Sequence, residues 1–554
     1  MPFKPPLRKL DIDTADTGFY EGYNTYVTLG AKVIIVLLII WAAVWSENAG
    51  STLGTIRSTI DAYTGPWYMY VVALFIVTCF GLALYPRTGK LMLGKPGDTP
   101  EFDSFSWFSM MFGAGIGIGM LTYATAEPIY HFGTNPETIQ GLTTGGAADN
   151  VRDAFKWSFL HWGLSAWACY AIVGLALAFF SYARGLPLTI RSGLTPLFGK
   201  TLEGPLGHVI DIVSVVATIL GVAVTIGYGV SQFASGVFNI TGAQWLMTED
   251  GAPTVAAMLA ALVIVMLCSV LSALSGVGKG IKWLSNLNMG LSFFILAFFL
   301  VFGSTLFAFK ALFVGIWDYI TALPYMSVHI FGPDGTGADN VTNQLAGWQG
   351  GWTVFYWAWW IAFAPFVGLF LARISRGRSV REYVLGAMIV PSVMCFVWFA
   401  FAGGTAIDLT LNGGAGDQIT GAGISSQLFA MINFMLSPLL AKLMSIVIVV
   451  LLLTYLVTSA DSAILIINTI AAAGDESEKG RIHIIVWGCI LGIVIGALLM
   501  AGGLDAINTA MIIGALPFSV VMVLMCIALI KALYRDGKRE AHAEAAAARS
   551  KTAA

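Results

Sequence analysis

Four glycines in seven residues, Gly113-Ala114-Gly115-Ile116-Gly117-Ile118-Gly119, lie inside an apolar run from Phe105 to about Ala126. Each interior glycine destabilises a helix by roughly 1 kcal/mol relative to alanine. The stretch reads in two ways. Another helix packs close on it, with Gly115 and Gly119 forming a G-x-x-x-G face, or the backbone opens and offers its own carbonyls to a ligand. A hydroxyl-rich run, Thr458-Ser459-Ala460-Asp461-Ser462, sits in another apolar segment, and Thr218 and Thr225 in a third. Such hydroxyls either bond back to the carbonyl at i−4 or complete an oxygen shell for a cation. Tryptophan is abundant at seventeen residues, and Trp167, Trp359 and Trp360 fall near the centres of their runs rather than at interfacial ends. At about 100° per residue, Trp359, Trp360 and Phe363 share an arc of about 100°, and Trp162, Trp167 and Tyr170 one of about 140°. Two such arcs make a cage for a cation with no hydrogen to donate, at about 0.5–2 kcal/mol per face when desolvated. Ordinary packing between helices accounts for the same rings. Ionisable groups inside the apolar runs are few: Glu127, Asp461, and His161 near one end of its run. Proton-coupled carriers usually show a relay of such groups, so their scarcity leans toward a metal cation as coupling ion. Glu127, beside Pro128, reads more simply as a helix-end residue.

The elements that hold these residues are membrane spans. The chain has 554 residues, 57% hydrophobic and 11% charged, with a mean hydropathy of +0.80; soluble domains carry roughly 25% charged residues. A net charge of −2 argues against nucleic acid as partner. The six cysteines fall in apolar runs without metal-ligand spacing and read as small buried hydrophobes. An integral membrane enzyme would need ligand clusters or a carboxylate constellation, which the scattered histidines and isolated carboxylates do not supply. Apolar runs of membrane-spanning length begin near Ala31, Trp67, Phe105, Ala154, Val209, Thr254, Lys282, Gly350, Glu382, Leu440, Ile482 and Leu504, predicting an all-α integral membrane protein with twelve transmembrane helices. The stretch from Phe309 to His329 reads as an amphipathic surface helix, Gly332 to Gln349 as an exposed loop, and Gly413 to Ser425 as another followed by a short helix.

Lysine and arginine set the orientation. One set of connections holds Lys4, Arg8 and Lys9; Arg87, Lys90 and Lys95; Arg184, Arg191 and Lys200; Lys279 and Lys282; Arg373, Arg376, Arg378 and Arg381; Lys479 and Arg481; and the basic residues from Lys531 onward. The other set holds little beyond Arg57, Arg152, Lys156 and Lys310. Both termini are thus expected in the cytoplasm.

Together these residues resemble the betaine/choline/carnitine transporter family from about Ala31 to Tyr534. The specific pieces are Gly115 to Gly119 with Glu127-Pro128; Gly351-Trp352-Thr353 with the Phe355 to Trp360 run; Ala372 to Ser379; Ser275 to Gly280; and Thr458 to Ser462. The resemblance implies two inverted five-helix repeats, as in the amino-acid/sodium symporters. The chain then divides into a tail (1–28), helices 1–2 (29–103), a first repeat of helices 3–7 (104–306), the amphipathic helix and loop (307–346), a second repeat of helices 8–12 (347–533) and a short tail (534–554). It implies a homotrimer in lipid, and an aromatic box of Trp162, Trp167, Tyr170, Trp359, Trp360 and Phe363, with Phe363 where sodium-coupled members tend to have Trp. The glycines Gly115, Gly117 and Gly119 would meet the substrate's carboxylate through backbone N–H groups. Sodium maps to carbonyls of Gly113, Ile116 and Tyr455 and hydroxyls of Thr458 and Ser459. A second sodium site would use Thr218 and Phe366, but Val222 lacks the expected hydroxyl and Thr225 is a partial substitute. Proton-coupled choline members place an acidic residue where Gly119 stands, and carnitine exchangers lack the later glycines. The implied function is Na⁺-coupled uptake of a betaine-like zwitterion, glycine betaine or dimethylsulfoniopropionate, without a further cofactor. A choline carrier, an ion-independent exchanger and an onium sensor are the alternatives. The tail after 534 is too short and mixed in charge for osmotic activation of the kind seen in some members.

Overall fold

The computed structural model describes residues 5–95, 97–115, 117–275, 282–334, 337, 340–477 and 480–553. Helix α1 (Thr25–Val44) starts where the Asn24 side chain accepts the N–H of Val27. Helix α2 (Ser46–Leu84) follows, then α3 (Ser104–Gly115) and α4 (Gly117–Gly133). After the single turn α5 (Pro136–Ile139), α6 (Val151–Trp162) and α7 (Leu164–Ala178) meet at Gly163. Beyond the turn α8 (Thr195–Phe198) come α9 (Pro205–Thr241), α10 (Val255–Ser275), α11 (Lys282–Phe302) and α12 (Thr305–Met326). Helix α13 (Val341–Gln349) runs through a π turn into α14 (Phe355–Ile374), followed by α15 (Val380–Leu411), α16 (Asp417–Thr420), α17 (Gln427–Met435), α18 (Pro438–Ala471) and α19 (Arg481–Ala553).

Eleven helices among the described residues are long and apolar enough to cross a membrane. They divide the chain differently from the twelve expected runs. The third run holds α3 and α4, which flank Ile116; that residue lies outside the described residues, and neither α3 nor α4 alone reaches spanning length. The last two runs are the two limbs of α19, separated by a kink of non-helical backbone at Gly502 and Gly503; Gly503 has φ +66°, which favours glycine. The segment expected on the surface, α12, qualifies as a candidate span, although it is the least apolar of the eleven. It buries Ala308, Leu312, Gly315 and Tyr319 and leaves Leu306, Phe309, Phe313, Trp317 and Ile320 exposed.

Two other expectations are corrected. The loop read as ending at Gln349 is helical from Val341, because the Asn340 side chain caps the N–H of Thr342 at 2.7 Å. Cys489 is exposed rather than buried; an apolar run can face lipid instead of protein. The family-like run Ser275 to Gly280 lies outside the described residues after Ser275.

The site is positioned by the crossing of α7 and α14. A side chain at Gly174 would meet the Gly368 carbonyl at 2.8 Å, and one at Gly368 would meet the Gly174 nitrogen at 3.0 Å. Small residues at such a crossing let two membrane helices touch backbone to backbone. Helix α9 packs against both α18 and α19.

Candidate functional site

The aromatic residues converge. Trp359 and Trp360 stack with centroids 4.9 Å apart and 12° between planes. Trp162 stands across them, 5.0 Å from Trp360 at 72° and 6.4 Å from Trp359 at 80°. Tyr170 lies 6.1 Å from Trp360 and 6.3 Å from Phe363, and Trp167 meets Tyr170 at 5.5 Å. All six are buried. Trp359, Trp360 and Phe363 share the uninterrupted α14, so their arc follows from helical periodicity. The arc drawn through Trp162, Trp167 and Tyr170 does not, because Gly163 separates α6 from α7 and breaks the periodicity.

The glycine stretch reaches this box. The stretch is helical up to Gly115 and from Gly117 onward, and Ile116 between them lies outside the described residues. Gly119 faces the box: a Cβ there would lie 2.8 Å from the Trp162 ring and 3.4 Å from Trp359. Gly117 faces elsewhere, since a side chain there would overlap the Tyr455 ring. Tyr123, one turn beyond Gly119, adds its ring 6.0 Å from Trp162 and 6.1 Å from Trp359. Gly113 and Gly115 lie in the last turn of α3.

Glu127 is not merely a helix-end residue. Its Oε2 accepts the Trp162 indole N–H at 2.6 Å and the Tyr356 hydroxyl at 2.5 Å. Its Oε1 lies 2.6 Å from His161 Nδ1 and 3.3 Å from His131 Nε2. His161 Nε2 in turn lies 3.1 Å from the Thr353 hydroxyl. Glu127 and both histidines are fully buried, with ligand atoms within 4.8 Å of one another. Ionisable groups that look scattered along the chain therefore meet at one carboxylate. This weakens the argument that a shortage of such groups points to a metal cation. His131, Tyr356 and Thr353 are missed by sequence reasoning; the i, i+4 spacings of Glu127 with His131 and of Tyr356 with Trp360 are the signals that could have found two of them.

The expected sodium ligands on α18 are neighbours. The Thr458 hydroxyl donates back toward the carbonyls of Thr454 at 3.0 Å and Tyr455 at 3.2 Å, and accepts from Asn288 Nδ2 at 3.0 Å. Ser459 is partly exposed beside it. Asp461 accepts from the hydroxyls of Ser272 at 2.5 Å and Ser462 at 3.1 Å. For the second site, the Thr218 hydroxyl donates to the Ser214 carbonyl at 2.8 Å, while Thr225 accepts the Trp359 indole N–H at 3.3 Å. Thr225 therefore serves the box. Phe366 packs edge-on against Phe363 at 5.0 Å.

A broken-helix bundle with a buried aromatic cage is the architecture of a multi-pass membrane transporter, not an enzyme. Residues 26–538 match the family described as BCCT, betaine/carnitine/choline family transporter, and the chain belongs to that family. It is 35% identical over 515 residues to the glycine betaine transporter OpuD of Bacillus subtilis, covering 92% of this chain and 95% of that one. It is 34% identical to a probable glycine betaine transporter of Desulfitobacterium hafniense, covering 94% and 99%. It is 33% identical to the osmo-independent choline transporter BetT1 of Acinetobacter baylyi, covering 93% and 94%.

Proposed function

We propose that this chain imports a betaine-like onium zwitterion, glycine betaine or dimethylsulfoniopropionate, coupled to Na⁺, by rocking one helix repeat against the other. The observation that carries the reading is the box itself: stacked Trp359 and Trp360 facing Trp162, with Gly119 packed beneath. Electron-rich faces hold a methylated cation without needing a hydrogen-bond donor. The relatives named as glycine betaine transporters support the same class. The tight fit at Gly119 favours a zwitterion over choline, since an acidic side chain there would enter the ring cluster. Sodium would take carbonyls of Gly113, Ile116 and Tyr455 with the hydroxyls of Thr458 and Ser459. A second ion at Thr218 and Phe366 is not part of this proposal, because Thr225 is held by Trp359.

The exposed stripe Leu306, Phe309, Phe313, Trp317 and Ile320 on α12 supports assembly as a homotrimer in lipid. The Lys and Arg distribution supports cytoplasmic termini, and the bacterial relatives support a bacterial plasma-membrane location.

Proteoliposomes decide the coupling. Glycine betaine uptake is expected to follow an imposed inward Na⁺ gradient. Uptake that ignores Na⁺ and follows a pH gradient would overturn it. A binding panel of glycine betaine, dimethylsulfoniopropionate, choline and carnitine is expected to rank the two zwitterionic osmolytes first.

A further inference from the structure

We propose that Glu127 is a positioning residue that sets specificity for the onium charge, acting through the indole of Trp162. The inference rests on the reading of the aromatic box as the substrate site.

Three of the four box indoles, those of Trp162, Trp359 and Trp360, differ in what their N–H groups meet. Trp162 donates to the Glu127 carboxylate at 2.6 Å, Trp360 to the His161 carbonyl at 2.9 Å, and Trp359 to the Thr225 hydroxyl at 3.3 Å. Hydrogen bonds to an ionised partner are roughly twice as strong as neutral ones. An ionised carboxylate only accepts, through about four lone-pair sites. Glu127 has four such partners: Trp162, Tyr356, His161 and His131. Among the described residues no lysine or arginine pairs with it, and it is fully buried.

Donation to an anion shifts electron density onto the indole. A cation over that face is attracted by the ring quadrupole, and in a low-dielectric interior the attraction is little screened. Trp162 is therefore the most electron-rich wall of the box. The same carboxylate holds Tyr356, which stacks on Trp360 at 5.4 Å and 22°. It also holds the His161 side chain, whose own carbonyl takes the Trp360 N–H. One buried charge thus orients two walls and sharpens one of them toward cations. A buried anion in a membrane is costly even when hydrogen-bonded, and the bound onium group offsets that cost in a way a neutral group of equal shape cannot.

The test compares glycine betaine with tert-butylacetate, its carbon isostere, binding to the purified full-length chain. Glu127→Gln keeps the side-chain size and removes the charge. It is expected to weaken glycine betaine binding about tenfold while changing tert-butylacetate less than about twofold. Equal weakening of both ligands would overturn the inference and leave Glu127 a scaffold residue. A wild type that binds neither ligand, or binds glycine betaine equally well as Trp360→Leu, would overturn the box reading instead. If Glu127→Gln does not fold, Trp162→Phe and Trp360→Phe carry the test. Trp162→Phe is expected to cut the preference for glycine betaine over its isostere at least about threefold more than Trp360→Phe. Equal cuts would sink the role of the carboxylate.

Discussion

Tyr319 on α12 accepts the backbone N–H of Leu164 on α7 through its phenolic oxygen at 3.0 Å. Leu164 is the first residue after the break at Gly163, between box residues Trp162 and Trp167. The peripheral helix thus caps the interruption in the box-bearing span. There is no room for a side chain at the break, since a Cβ on Gly163 would lie 2.8 Å from both the Tyr319 hydroxyl and the Phe396 ring. Tyr319→Phe keeps the packing and removes the acceptor. Leaving a buried N–H unsatisfied costs about 1–3 kcal/mol. A lower thermal midpoint in detergent and slower uptake are expected, with the Na⁺ dependence unchanged.

Gly119 on α4 is where the third span touches the aromatic cage. A methyl group there would press on Trp162 and Trp359, and overpacking of this kind costs about 1–3 kcal/mol. Gly119→Ala is expected to weaken glycine betaine binding by about tenfold, read by tryptophan fluorescence. Gly117→Ala is expected to act differently, on Na⁺ dependence rather than substrate affinity, because its neighbour is Tyr455. If both variants shift only substrate affinity, the assignment of the two glycines to different ligands is wrong.

What could be read from the residues alone depended on whether periodicity was unbroken. Trp359, Trp360 and Phe363 lie on one continuous helix, so angle arithmetic places them together. Trp162 and Trp167 lie on either side of Gly163, and no periodic argument carries across a break. The glycine stretch reads in the sequence as either a packing face or an open backbone, and the point between them, Ile116, lies outside the described residues. The Glu127 cluster was not foreseeable, since it draws on α4, α6, the π turn and α14, which only tertiary packing brings together. The Thr225 hydroxyl looked like a substitute sodium ligand, yet its partner is the Trp359 indole, a contact that spacing along α9 cannot reveal.

The arginine-rich loop after α14 is clasped to the loop after α2. Leu93 N–H donates to the Arg378 carbonyl at 2.8 Å, and Gly377 N–H donates to the Leu93 carbonyl at 2.9 Å. Arg376 pairs with Asp98 at 3.1 Å. The Lys95 backbone N–H, followed by the Arg376 guanidinium, holds the Asp98 carboxyl below the usual carboxylate range. A carboxylate with a depressed folded-state pKa contributes stability that is present above its unfolded pKa and lost as pH falls through the folded value. The gap in thermal midpoint between wild type and Asp98→Asn is therefore expected to be constant near neutral pH and to narrow below about pH 4. A gap that widens in acid would contradict this.

The same clasp needs a glycine. Gly377 has φ +81°, and a side chain would press into the backbone of Thr99 and Pro100. Gly377→Ala is expected to destabilise by about 1–2 kcal/mol from the left-handed conformation alone. The measurement is thermal unfolding, with Gly347→Ala as the comparison, since nothing lies within 4 Å of a Cβ there.

The Thr458 hydroxyl is contested in this conformation. It donates back to the Thr454 and Tyr455 carbonyls while Asn288 donates to it. For Na⁺ to sit on the Tyr455 carbonyl and the Thr458 oxygen, the hydroxyl must stop donating to Tyr455 and share a lone pair that the Asn288 amide also uses. A neutral hydrogen bond contributes about 0.5–1.5 kcal/mol net, so removing the competitor is worth a few-fold in ion affinity. Asn288→Ala is expected to lower the Na⁺ concentration giving half-maximal uptake by about two- to threefold. Thr458→Ala combined with Ser459→Ala is expected to raise it by at least about tenfold. The two effects have opposite signs, which a general loosening of α18 against α11 would not produce. If both variants leave the Na⁺ dependence of uptake where it was, the ion binds elsewhere in the chain.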